Sequence, residues 1–175
     1  MTQPPKTVYR IETLAENHNR KGFDSGNFAA DDHLKKMALQ NLRQRHSHTY
    51  VLVAADCPDE IVGFYTITTV TVSYLKVPEL VHGQAGKRIP AGLLAHIAVA
   101  RAKQKSRHLA RLLVHSLTTF GRMDRIAGLC GVIVDAADDS SRKLFLSYGF
   151  SRIDDRTPAR LYMSIETVLK LRQIQ

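Results

Sequence analysis

Between Leu93 and Thr118 the chain passes from an apolar stretch, Leu93–Val99, through a basic connection, Ala100–Arg107, into a segment where Leu109, Leu112, Leu113 and Leu117 share one side. A short apolar run reads as a buried strand, and leucines three and four residues apart read as an amphipathic helix. The connection carries Arg101, Lys103, Lys105 and Arg107. It leads into a helix start, where unpaired N–H groups and a partial positive charge already favour anions. Of all segments this one is best suited to holding a phosphate.

The rest of the pattern extends a mixed sheet around it. Val8–Ile11 reads as a first strand and Ala30–Arg43 as a helix, with Leu34, Met37, Ala38 and Leu42 in helical register and Asp31 or Asp32 as cap. Thr49–Ala55 and Ile61–Val72 read as a hairpin about a turn at Cys57–Glu60. Pro78–Pro90 reads as irregular. Leu129–Val134 is a strand, and Asp138-Asp139-Ser140 can cap a helix to about Ser147 that Tyr148-Gly149-Phe150 ends, with Gly149 placed for a left-handed stop. Tyr162–Ile165 is a last strand. Strands and helices interleave with no linker or repeat, so the expected class is α/β with a mixed sheet, in one domain over residues 8–175. Met1–Thr7, polar and holding Pro4-Pro5, reads as a loose arm.

Composition narrows the function. The 175 residues carry a formal net charge of +9, which favours polyanionic partners, above all nucleic acid. No low-complexity basic tail exists, so a basic face has to be assembled by folding. No window reaches the apolar length of a membrane span, and no secretory leader is visible, so a cytoplasmic location is expected. Cys57 and Cys130 make neither a disulfide framework nor a metal spacing, and read as free thiols.

Two segments, Ile97-Ala98-Val99 with Gln104 and Leu112-Leu113 and the Ser141–Phe150 helix with its Tyr148-Gly149-Phe150 exit, together with the order of elements, resemble the GNAT acetyltransferase superfamily. A further set is similar to the toxin-type acetyltransferases of bacterial toxin–antitoxin pairs: His18, Phe23–Asn27, Leu34, Ala38–Asn41, Tyr50-Val51, Gly63–Ile67, Ile89-Pro90, Val134–Ala136 and Leu161–Met163. The resemblance implies the acyl-CoA N-acyltransferase fold with splayed central strands, acetyl-CoA as donor and the α-amine of an aminoacyl-tRNA as acceptor. It also implies a homodimer and a small DNA-binding antitoxin as partner. On this reading the backbone of Ile97, Ala98 and Val99 holds the acyl and pantetheine groups. The turn of Gln104, Lys105, Ser106, Arg107, His108, Leu109 and Ala110 holds the pyrophosphate.

Two motifs depart from that family. Aligned without gaps, its two phosphate-loop glycines are Arg107 and Leu109 here, and side chains there obstruct a close backbone approach. The same arginine, with Lys105 and His108, can instead bind phosphate through its side chain. The family's general-acid tyrosine is Phe145, which has no proton to give; Tyr148 is the nearby substitute. A catalytically silent relative, a pseudoenzyme that binds tRNA or a protein partner, is therefore the alternative reading. Among other candidates, His46 and His48 lack the company of a metal site. His18, Asp24 and Ser25 lack a nucleophile elbow. His96 can serve as a base beside the donor strand, and Asp135 either borders the acceptor site or caps the next helix.

Overall fold

The computed structural model describes residues 7–73, 88–153 and 158–172. Most of the expected arm and of the irregular Pro78–Pro90 stretch lies outside them. Over the described residues seven strands form one mixed sheet in the order β1-β2-β3-β4-β5-β7-β6. The chain divides into two compact units, residues up to Thr66 with His96–Val114, and Ile67–Ala95 with the chain from His115.

In the first unit β1 (Tyr9–Thr13) pairs antiparallel with β2 (His48–Ala54), from Tyr9 opposite Ala54 to Thr13 opposite Tyr50. The expected helix forms in three parts: α1 (Phe28–Asp32), a π turn (His33–Met37) and α2 (Ala38–Arg43). Its apolar positions Leu34, Ala38 and Leu39 pack with Leu14, Phe23, Val51, Phe64 and Ala98 in one core. Fully burying a side chain of this size contributes roughly 1.5–3 kcal/mol.

The cap is neither Asp31 nor Asp32 but Asn27. Its backbone is extended (φ −101°, ψ 104°) and its side chain accepts the Ala30 N–H at 3.2 Å. Asp31 turns back to accept the Ser25 N–H at 3.0 Å and the Ser25 hydroxyl at 2.6 Å. The turn expected at Cys57–Glu60 lies one step earlier, at Ala55-Asp56, and β3 (Cys57–Ser73) already includes Pro58. A proline near the first residue of a strand costs no ladder bond.

β4 (Arg88–Val99) is longer than the predicted strand; its part in the second unit pairs parallel with β5 (Gly131–Ala136) from Gly92–Val132 to Leu94–Val134, and the strand continues to Val99. Helix α3 (His108–Ala127) outruns its expected end at Thr118 because Phe120, fully buried, extends the leucine stripe. Gly128, at φ +63°, follows its last residue. Helix α4 (Asp139–Ser147) is capped by Asp138, which accepts the Ser141 N–H at 2.7 Å, and Gly149 has φ +91°. Such a cap contributes about 1 kcal/mol. Between α4 and β7 (Ala159–Ser164) lies β6 (Ser151–Arg152), too short to show in a periodicity, and α5 (Ile165–Arg172) follows β7. Among the described residues no helix is long and apolar enough to cross a membrane.

Candidate functional site

The turn after β4 is tied down along its length. The Arg101 N–H donates to the Asp24 carbonyl at 2.9 Å, and the Arg101 Nε to the Asp24 carboxylate at 3.2 Å. The Gln104 amide donates twice, to the carbonyl of Ser25 at 2.7 Å and to that of Val99 at 3.0 Å. Gln104 therefore locks the end of β4 to the Phe23–Asn27 loop. Gly26, at φ +85°, lets the Arg101 guanidinium lie against it, where a Cβ would come within 2.9 Å of Nε.

Beyond this anchor the turn opens to solvent. Lys103, Lys105, Ser106 and Arg107 are exposed, and the Ser106 hydroxyl donates to the Lys103 carbonyl at 2.6 Å. At Arg107 and Leu109, the two positions read against glycine, the backbone is ordinary: among the described non-glycine residues Arg45 is the one with positive φ. The side chains there force no strain, and the Arg107 guanidinium is free to reach a phosphate. Leu109 and Ala110 are half-buried in the first turn of α3. His108 is buried and meets the Tyr9 ring edge-on at 4.4 Å, with Arg111 on that ring at 5.7 Å. Burial, then Arg111 and Lys103, hold its pKa below the ordinary value.

An open hollow of about 730 Å³ lies beside Ala100–Ala102, between Asn19–Asp24 and Asp56–Ile61. Asp24, Asp56, Asp59 and Glu60 line it, so its charge is wrong for the phosphates of a nucleotide donor.

Upstream on β4, His96 stacks on His33 of the π turn, centroids 4.1 Å apart and planes at 22°. His33 Nε2 lies 3.2 Å from the Thr66 hydroxyl, itself 2.8 Å from that of Thr49. Burial lowers both imidazole pKa values, His33 to about 4, with His96 adding to the effect. Folded values below the unfolded 6.5 mean that the unfolded chain takes up protons first as pH falls. The stabilisation is whole above about pH 6.5 and drains away toward pH 4. The melting temperature should fall over that interval, and His33→Phe should flatten the fall. A flat profile in the unmodified chain would contradict this.

In the second unit Phe145 is buried, 4% exposed, and meets Phe150 edge-on at 5.6 Å. Tyr148, half-buried, ends α4, its N–H bonded to the carbonyls of Leu144 and Phe145. Asp135 accepts two hydrogen bonds from Arg160, directly opposite it on β7, at 2.7 and 2.8 Å. It is a cross-strand partner rather than a helix cap; that role belongs to Asp138.

The remaining candidates disperse. His18 is buried, its Nδ1 accepting the Ala15 N–H at 2.9 Å and its Nε2 3.0 Å from Glu12. Ser25 donates to Asp31, and Asp24 serves Gly26 and Arg101, so these three make no hydrolytic array. His48 is exposed and lies on Tyr50, with His46 at the bend before β2. Both cysteines are free thiols, and burial raises the pKa of Cys130. Sequence reasoning missed His33 entirely, since nothing local marks it as the partner of a strand histidine.

No protein-family profile matches the chain. It is 32% identical over 132 residues to a tRNA-acetylating toxin of Mycobacterium tuberculosis, covering 73% of this chain and 75% of the relative. It is 26% identical over 175 residues to a probable toxin TacT of Sinorhizobium fredii, covering 92% and 93%. Among solved structures it superposes on a bacterial toxin with a TM-score of 0.89 at 19% identity, covering 97% of this chain and 98% of that one. AtaT complexed with acetyl-methionyl-tRNAfMet gives 0.82 at 19% identity, covering 94% and 99%. A tyrosine-to-phenylalanine mutant of AtaT, bound to the C-terminus of the antitoxin AtaR and acetyl-CoA, gives 0.79 at 21%, covering 95% and 99%. These structural likenesses bear on the fold.

Proposed function

We propose, from the premise that this chain belongs to the family of tRNA-acetylating toxins, that it transfers the acetyl group of acetyl-CoA to the α-amine of an aminoacyl-tRNA. The observation that carries this reading is the donor turn. Gln104 fixes it to Val99 and Ser25 while Lys105 and Arg107 stand in solvent at the start of α3. A fixed strand end followed by free cations at a helix N-terminus suits a pantetheine arm with a pyrophosphate behind it.

The donor supplies an activated thioester; the chain's residues bind and orient it. Backbone groups of Ile97, Ala98 and Val99 hold the acyl end. Lys105 and Arg107 take the pyrophosphate with side chains where the resembled family's loop has glycines, helped by the N–H groups of His108, Leu109 and Ala110. Gln104 positions the turn from behind. The basic surface receives the tRNA. The protein works in the cytoplasm as a homodimer, and a small DNA-binding antitoxin covers it; AtaT bound to AtaR supports such a partner.

Calorimetric titration with acetyl-CoA tests the donor site. The unmodified chain should bind, and Arg107→Ala should bind about tenfold more weakly, since one charge-assisted hydrogen bond contributes about 1.5–3 kcal/mol. Unchanged affinity in the variant would remove Arg107 from the site, and absence of binding to the unmodified chain would remove the donor. A second reading, a silent module that binds charged tRNA without acting on it, draws on Phe145, which offers no proton to a leaving thiolate.

A further inference from the structure

The reaction just proposed moves a proton as well as an acetyl group. The attacking amine forms a bond from nitrogen to the acetyl carbon, and the bond from that carbon to sulfur breaks. The nitrogen must then shed one proton, and the sulfur leaves as a thiolate that needs one. Phe145 cannot supply it. A single group that accepts the proton from nitrogen and hands it to sulfur leaves every atom and charge balanced.

We propose that His96 is this proton carrier. The proposal rests on the acetyltransferase reading, and four observations place it. His96 directly precedes Ile97–Val99 on β4. At about 3.3 Å per strand residue, its side chain leaves the sheet about 7 Å from that of Ala98 and on the same face. Among the described residues no group hydrogen-bonds its ring, whose contact is the stack on His33. His96 is half-buried, and among the described residues its ring nitrogens are not enclosed without a partner as Arg20 Nε and Ser47 Oγ are.

The setting keeps this ring fit for the task. His33 lies flat against it, tied through Thr66 to Thr49 on the neighbouring strands, and fixes its plane. His33 sits at the start of the π turn, a widened turn of a kind found often at functional sites. Burial favours the neutral imidazole, so at neutral pH His96 meets the amine as an acceptor. His18 is committed to Glu12 and Ala15, and His108 to Tyr9.

The test measures single-turnover acetyl transfer from labelled acetyl-CoA to charged tRNA. It uses the full chain, His96→Ala, His96→Asn and His33→Phe, with donor affinity by calorimetry and melting temperature for each. His96→Ala and His96→Asn should slow transfer about 10²-fold, the low end of a general acid–base contribution, with donor affinity unchanged. Added imidazole should restore a measurable part of the rate in His96→Ala, where it has room to enter. His33→Phe loses the bond to Thr66 that fixes the plane of His96 and should slow transfer severalfold with donor affinity unchanged. Full activity in His96→Ala, or a loss that imidazole does not relieve, overturns the proposal while the acetyltransferase reading stands. Should the full chain bind acetyl-CoA and charged tRNA yet transfer nothing, the reading itself fails and the proposal falls with it.

Discussion

Phe145→Tyr should raise the rate of acetyl transfer to charged tRNA by about 10²-fold. The variant adds one hydroxyl to an aromatic ring, at the position that the sequence resemblance aligns with the family's general-acid tyrosine. A general acid typically contributes ~10²–10⁴-fold, and the lower figure fits a protein in which another group already moves the proton. The gain has a structural cost. Phe145 is 4% exposed and packs edge-on against Phe150. A hydroxyl buried there without a partner costs about 1–3 kcal/mol. The variant should therefore melt lower and work faster. Single-turnover rates and a melting curve on the same preparation check both halves. An unchanged rate with a lowered melting temperature would mark Phe145 as a core residue with no part in the chemistry.

Gly131→Ala should produce the largest loss of stability. Gly131 opens β5 and pairs with Ser164 of β7. A Cβ at Gly131 would lie 2.3 Å from the Met163 carbonyl oxygen and 2.4 Å from the Tyr162 hydroxyl. The first is backbone within a ladder, and the second is held by its hydrogen bond to the Cys130 carbonyl. Neither can yield without parting strands whose inner residues, Val132, Ile133, Leu161 and Met163, are buried. Overpacking of this kind costs typically 1–3 kcal/mol, and a rigid backbone obstacle puts this case at about 3 kcal/mol. Chemical denaturation should show a lower midpoint with an unchanged slope. By contrast, Gly128→Ala meets nothing within 4 Å and carries only the strain of φ +63°. A midpoint for Gly131→Ala no lower than that of Gly128→Ala would refute the packing argument.

What could be read from the residues alone was what local chemistry determines. The leucines of α3, the capping aspartate at Asp138 and the left-handed stop at Gly149 each signal their role within a few positions, and each appears where expected. Local signals misled where several residues competed for one role. Asp31 or Asp32 is the expected cap, but Asn27 caps the helix and the carboxylate of Asp31 is taken by Ser25. Pro58 suggested a turn, although it sits without cost at the start of β3. Contacts between distant segments left no trace. Gln104 looked like a ligand of the donor, and its amide is spent on Ser25 and Val99. His108 looked like a phosphate contact and packs on Tyr9. The stack of His96 on His33 joins a strand to a π turn, and no spacing rule connects them.

Acetylation of charged tRNA by this chain, in which Phe145 offers no proton, is the proposal on which the rest depends. It is tested most directly by incubating the unmodified protein with labelled acetyl-CoA and a pool of charged tRNA, then following label into the RNA. The account predicts label on the aminoacyl group, lost when the ester to tRNA is hydrolysed and absent when the tRNA is uncharged. Binding of acetyl-CoA and charged tRNA by folded protein, with no label transferred, would contradict it and identify a silent tRNA-binding module.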